Sequence, residues 1–348
     1  MRQLSMQILP TNMKRAAGFT LLELLIASAI GSFLIAGVFT VFSNGRETQA
    51  TIEVQTQLVD DGRFAIHLLT YELRHAGLWG QTNDDTRIAG AIGVADRVTR
   101  NGNPVMPALP GDCEPGWYRN LSESFFVADN VNPYTASGCI PNGDYKLNTD
   151  VLVIKHAATA AIQDADLSPG VIYVYANHFD GELFSGTTKP TWGEDDLQPP
   201  LNYRLNSRAY FVNEYTDYPG DSRPSLRRVQ LEVGPSLSNT MMIPGVEDFQ
   251  IQLGLDTDNS GSVNMYVDAS NPVLGTSITG NPSMAGVQSV QFWVMIRSQE
   301  KELIPGETQT ISIGGNPAVT YTDRYRRVVV SKVVRLQNRE QLTTAAGG

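Results

Sequence analysis

A single carboxylate stands inside an apolar run near the start of the chain. From Phe19 to Phe42 there are 24 residues with one charge, Glu23. As helix this run is about 36 Å long, enough to cross a bilayer. An ionised group within such a span is costly, so its presence points to a partner of opposite charge. Upstream, residues 1–18 hold Arg2, Lys14 and Arg15 and no acid, and after the run the next base is Arg46. That asymmetry directs the N-terminus to the cytoplasm and the rest outside. A cleaved secretory signal would have a shorter apolar core and a small-x-small site. A plain membrane anchor explains the length but leaves Glu23 without a task.

A second group of oxygen-bearing residues lies at Asp256, Asp258, Ser260, Asn264 and Asp268, with Gly261 among them. Ligands at positions 1, 3 and 5 and glycine at 6 suit a hard cation such as Ca²⁺. The bidentate glutamate of an EF-hand is missing, because Val267 holds position 12 and Asp268 follows it. The segment reads either as a loose Ca²⁺ loop between strands or as a polar hairpin turn, since the same residues favour turns. No cofactor is required by any other motif. P-loop, Gly-x-Gly-x-x-Gly, Gly-x-Ser-x-Gly, His-Glu-x-x-His and Cys-x-x-Cys patterns do not occur. The four histidines are scattered, and each reads as an ordinary surface or packed imidazole.

Composition narrows the class further. Charged residues make up 18%, below the usual quarter, and Gly, Asn, Ser and Thr abound, which describes a loop-rich, β-rich exported domain. The formal charge is −10, or −13 without Arg2, Lys14 and Arg15. So acidic a body repels phosphate backbones, and nucleic acid is not an expected partner. The only cysteines, Cys113 and Cys139, sit among Pro, Gly and Asn. Bridged in an oxidising compartment, they would constrain that loop by about 3–4 kcal/mol in the chain-entropy model.

The flank Lys14-Arg-Ala-Ala-Gly18-Phe19-Thr-Leu-Leu-Glu23-Leu resembles the methylation signal of type IV prepilins: a basic leader ending in glycine, an aromatic first mature residue and glutamate at the fifth. The stretch Asp61–Gly80 resembles the handover from helix to body in PilW-type minor pilins, and Arg324–Arg339 resembles their final strand. The resemblance implies cleavage by a prepilin peptidase between Gly18 and Phe19, with N-methylation of Phe19. It also implies that Glu23 meets the Phe19 amine of a neighbouring subunit during assembly. The leader is long for this family, and Met13 offers an internal start. The proline common at the twenty-second mature position is absent, since Thr40 stands there.

No proline occurs between Thr11 and Asn103, so one long helix is allowed. Ile52, Leu58, Val59, Ala65, Ile66, Leu69 and Leu73 follow helical spacing, Gly62 weakens the helix by about 1 kcal/mol, and His75-Ala-Gly77 ends it. Strands are expected at Ser124–Ala128, Asp150–His156, Val171–Ala176, Arg208–Asn213, Leu226–Val233, Val246–Leu255, Val287–Ile296, Thr308–Ile313 and Arg324–Leu336. The expected fold is α+β: a long N-terminal pilin-like helix packed on an antiparallel, β-rich globular domain. Its divisions are a leader at 1–18, a membrane or filament-core helix at 19–42, an amphipathic helix at 43–76 and a body at 77–348. A loop insertion is expected at about 81–149.

The function expected is that of a non-enzymatic minor pilin that primes pilus assembly near the filament tip. Its partners would be prepilin peptidase, other minor pilins, the major pilin and the inner-membrane assembly platform. It would cross the inner membrane once before joining the pilus. A J-type pseudopilin of type II secretion shares these features. A signal-anchored periplasmic binding protein or adhesin is the reading from another class.

Overall fold

The computed structural model describes residues 18–92, 106–194, 196–258, 260–275, 284, 286–301 and 308–339. The Met13 start and the leader up to residue 17 lie outside the described residues, as does 93–105 of the expected insertion. The first element is a helix of 55 residues, α1, Leu21–His75. Gly77 closes it in the left-handed conformation at φ 77°, a backbone state that glycine adopts without steric cost. Its amide donates to the Lys155 carbonyl at 3.0 Å, which turns the chain into the sheet.

Fourteen strands follow among the described residues. They are β1 (Ile88–Ala89), β2 (Phe125–Ala128), β3 (Val151–Ala157), β4 (Ile172–Ala176), β5 (Gly181–Ser185), β6 (Leu201–Asn213) and β7 (Ser225–Glu232). Then come β8 (Ser236–Pro244), β9 (Val246–Leu255), β10 (Met265–Asp268), β11 (Val287–Lys301), β12 (Gln309–Ile311), β13 (Val319–Tyr321) and β14 (Tyr325–Arg335). An eight-stranded sheet runs β1-β5-β4-β6-β3-β2, with β7 on β6 and β8 on β7. A four-stranded sheet runs β10-β9-β11-β14, and β12 pairs with β13. All pairings are antiparallel except the short β1–β5 contact. The fold class is therefore the one expected, α+β with a β-rich body.

By compactness the chain divides into Met1–Gln55 and Thr56–Gly348. In the second unit the helix buries Leu58, Ala65, Leu69, Glu72 and Leu73, one stripe at helical spacing. Ile52 and Val59 fall off that stripe and are exposed. Gly62 lies on it. A Cβ there would meet Val330 Cγ1 of β14 at 2.7 Å, so the glycine that weakens the isolated helix lets helix and strand approach. Gly62→Ala is expected to lower the melting temperature despite better helix propensity, and Val330→Ala in the same chain to restore it.

Two joints fix the sheets to each other. The Asp150 amide donates to Phe249 O at 2.9 Å, and Asp150 Oδ2 accepts from the Ile251 amide at 2.6 Å. The stretch expected as a loop insertion is mostly irregular, yet it is core: Trp117, Tyr118, Leu121, Phe125 and Ile140 are buried. Aromatic burial of this kind holds irregular backbone through packing rather than through ladder hydrogen bonds.

Candidate assembly site

The N-terminal helix opens on a reciprocal cap. Thr20 Oγ1 accepts from the Glu23 amide at 3.2 Å, while Glu23 Oε2 accepts from the Thr20 amide at 2.9 Å and from its hydroxyl at 3.0 Å. This is the Thr-x-x-Glu capping box, in which each side chain satisfies a backbone donor that the helix start leaves free. Thr20 is thus a capping residue that the prepilin pattern does not single out, although the pattern Thr-x-x-Glu carries it openly. Gly18 has nothing within 4 Å of where a Cβ would be, and Phe19 is 90% exposed.

The large apolar side chains from Leu21 to Phe42, among them Leu24, Ile30, Phe33 and Phe39, are likewise exposed. By length and composition this helix could cross a membrane. Burial of each such side chain is worth about 1.5–3 kcal/mol, so covering this segment would be strongly favourable. Gly18, Phe19 and Glu23 therefore come together at one end of an uncovered apolar rod, with Glu23 held by its own chain.

In the body, three charged or polar side chains meet that the sequence pattern does not connect. Glu72 from α1 is 1% exposed. Its Oε1 binds the Arg208 guanidinium of β6, and its Oε2 lies 3.4 Å from His156 Nε2 of β3. Burial alone would raise the Glu72 pKa, but the His156 contact and the Arg208 charge bring it below the ordinary value. His75 and Tyr71 pack around the same imidazole, with the His75 and His156 rings 5.8 Å apart. Next to His156, Lys155 is fully buried. Its Nζ donates to Asn120 O at 3.0 Å and lies 5.5 Å from the centre of the Trp117 ring. Burial pushes its pKa down to about 8, against the pull of Glu123, Glu114 and Asp112.

Cys113 and Cys139 are bridged, with Cα atoms 5.0 Å apart. The five expected cation ligands do not share one point. Asp256 accepts from the Ser260 and Gly261 amides at 3.0 and 2.7 Å, and Asp258 from the Ser260 amide at 3.2 Å. Asn264 Oδ1 accepts from the Thr257 amide at 3.1 Å. Asp268 lies along β10, opposite Gln252 of β9, and takes a hydrogen bond from that side chain at 3.0 Å. Among the described residues no group of three or more His, Cys, Asp or Glu side chains is placed to hold a metal ion.

Comparison with known proteins gives these features a context. Residues 209–338 match the family model of the type IV pilus-assembly protein W, and residues 13–39 match the prokaryotic N-terminal methylation motif. No curated protein matches significantly. Among solved structures, a type IV-like pilin from Thermus thermophilus aligns over 55% of this chain and 78% of its own, at 12% identity. Its TM-score is 0.28, too low for anything to be argued from it. The methylation motif falls on the end of the leader and the first half of the apolar helix, a feature this chain shares with type IV pilin-like proteins. The match to the type IV pilus-assembly protein W runs from the end of β6 through β14 and covers less than half of the chain.

Proposed function

We propose that this chain is a minor pilin, a structural subunit that helps start a type IV pilus and stays near its tip. In this reading a prepilin peptidase cuts between Gly18 and Phe19 and methylates the new amine. The helix then waits in the inner membrane, with its N-terminus cytoplasmic and the body periplasmic. On assembly Glu23 exchanges its bond with Thr20 for the Phe19 amine of a neighbouring pilin, and the apolar side chains exchange lipid for other helices. A carboxylate paired with a cation at low dielectric recovers much of its desolvation cost. The assembled state is thereby favoured, and its axial register set. Partners are other minor pilins, the major pilin and the assembly platform. The role is non-enzymatic and needs no cofactor.

The observation that carries this reading is Glu23, capped by its own helix start at the head of an uncovered apolar rod. Glu23→Ala is expected to leave cleavage intact and to remove the chain from sheared pili, as seen by immunoblot. Normal incorporation of that variant would defeat the reading. Deleting the gene should reduce surface pili; a loss of protein secretion with normal piliation would assign the chain to a secretion machine instead.

The Asp256–Asn264 loop is proposed to serve as a turn, because its side chains are already engaged with its own backbone and Asp268 stands apart. Titrating the full chain in detergent with millimolar Ca²⁺ should give no binding heat. A saturable heat lost in Asp256→Asn would show that the loop takes the ion.

A further inference from the structure

The β12–β13 hairpin lies over β9 and β11. Its turn comes so close that a Cβ on Gly314, at φ 58°, would meet Gln250 Cβ at 3.0 Å. Hairpin and sheet border a cavity of about 400 Å³, within the size range of small-ligand sites. Its two sides differ. Met295 of β11, Ile311 of β12 and Val319 of β13 give an apolar side. Asp248 of β9 gives a polar one, with Asn130, which follows β2, and Asn148, which precedes β3.

The polar side is rich in acceptors. Gln250 Nε2 donates to Asp248 Oδ1 at 2.8 Å and to Asn148 O at 2.9 Å, and Asn130 Oδ1 lies 3.4 Å from the same nitrogen. A carboxamide nitrogen has only two hydrogens, so three oxygens share two donors. Asp248 is the one charged residue bordering the cavity. Among the described residues no cation forms an ion pair with it. Lys146 acts on it from outside the cavity, and Glu247, Asp150 and Tyr321 are the other titratable groups around it. The net charge of −10 draws cations to the chain and repels anions.

We propose that this cavity is a binding site for a primary alkylammonium group, with its N–H donors on the oxygens of Asp248, Asn148 and Asn130 and its hydrocarbon stem against Met295, Ile311 and Val319. An anion would face the Asp248 carboxylate with no cation to offset it, and an alcohol brings a single donor where an ammonium brings three. A free amine and a lysine side chain of a neighbouring chain offer the same chemistry. The site itself does not depend on the minor-pilin reading; only the second source does.

The probe is n-butylamine, with n-butanol and butyrate as controls, in saturation-transfer NMR on the full chain in detergent near pH 7. Butylamine should saturate at millimolar concentration, butanol should bind at least about tenfold more weakly, and butyrate should not bind. Asp248→Asn in the same detergent, and so with the same micelle background, should weaken butylamine about tenfold and leave butanol unchanged. Equal affinity for butylamine and butanol, or wild-type affinity for butylamine in Asp248→Asn, would overturn the proposal. A second measurement needs no variant. Burial raises the Asp248 carboxyl to about 6, so in wild-type protein the affinity for butylamine should fall about tenfold from about pH 7 to pH 5, as the carboxylate takes up its proton. Equal affinity at both values would overturn the proposal even if the variant misfolds. A carbodiimide, which joins carboxylates to amines, then separates the sources in sheared pili. A link from Asp248 to a lysine of another chain would assign the ammonium to a neighbour; butylamine binding without such a link would assign it to a free amine, and either result supports the site. Failure here would leave the reading based on Glu23 untouched, since that has its own variant.

Discussion

Glu72→Ala is expected to destabilise the body by about 3–5 kcal/mol, because removing one member of a buried charged group strands the others. Arg208 keeps one further side-chain bond, to Asn206 Oδ1 at 3.2 Å, whereas His156 Nε2 has no other hydrogen-bond partner. The cost falls on the last turns of α1, where Glu72 ties the helix to β3 and β6. A melting temperature lower by about 10 °C would correspond to this loss. The exposed pair Asp60–Arg63, 3.7 Å apart with side chains 64% and 73% exposed, provides the contrast. Asp60→Ala should change stability by less than about 1 kcal/mol. A double-mutant cycle of Glu72→Ala with Arg208→Ala, followed by tryptophan fluorescence, should show strong coupling. Additive effects would mean that the two side chains act independently.

The second large effect is a stability profile with two sloping limbs. Burial pushes the Asp248 carboxyl up from 3.8 to about 6, against its hydrogen bond from Gln250. The folded chain therefore keeps this proton where the unfolded chain has released it. Stability contributed by Asp248 is greatest below about pH 4 and is lost by about pH 6, an amount near 3 kcal/mol. Asp150, raised in the same direction by burial, adds to that fall. Lys155 works on the other side. Its ammonium is lowered from 10.5 to about 8, so the unfolded chain binds more protons between those values. The Lys155 contribution should rise by about 2 kcal/mol from pH 8 to pH 10, while Tyr118 and Tyr145, raised by burial to about 12, begin to draw stability off near pH 10. Disulfide exchange does not confuse that limb, because the two cysteines of the chain are bridged to each other. Denaturant unfolding from pH 4 to pH 10 should show a floor between about 6 and 8. Asp248→Asn should flatten the acid limb and Lys155→Met the alkaline one. Limbs unchanged in these variants would assign the pH dependence to other groups.

What the sequence made legible depends on how local each cause is. Gly18, Phe19 and Glu23 lie within six positions, and the apolar run beside them reads directly as a helix without a soluble partner. The strand Val246–Leu255 reads at its full extent because apolar and polar residues alternate along it. β8 was not legible, since an edge strand facing solvent needs no apolar alternation and Ser-Leu-Ser-Asn-Thr looks like a loop. Lys155 shows the opposite difficulty: Val-Leu-Val-Ile-Lys-His-Ala reads as a strand, but nothing in it says that the lysine is buried. Glu72 and Arg208 are 136 residues apart, so only the fold brings them together. Gly62 was visible as a weak point of the helix, while its reason, the Val330 side chain, lies in the last strand. The same distance effect divides the candidate cation ligands, because Asp268 joins the β9–β10 ladder instead of the loop that precedes it.

On the proposed function, the chain is made as a prepilin and enters a filament through its capped, uncovered helix. The most direct measurement is the intact mass of the chain recovered from sheared pili, set beside the chain from cells lacking prepilin peptidase. The filament form is expected to begin at Phe19 and to carry one added methyl group on its amine, while the peptidase-deficient form keeps the leader and is absent from the pili. An identical N-terminus in both strains, or a mature chain that starts elsewhere than Phe19, would contradict it.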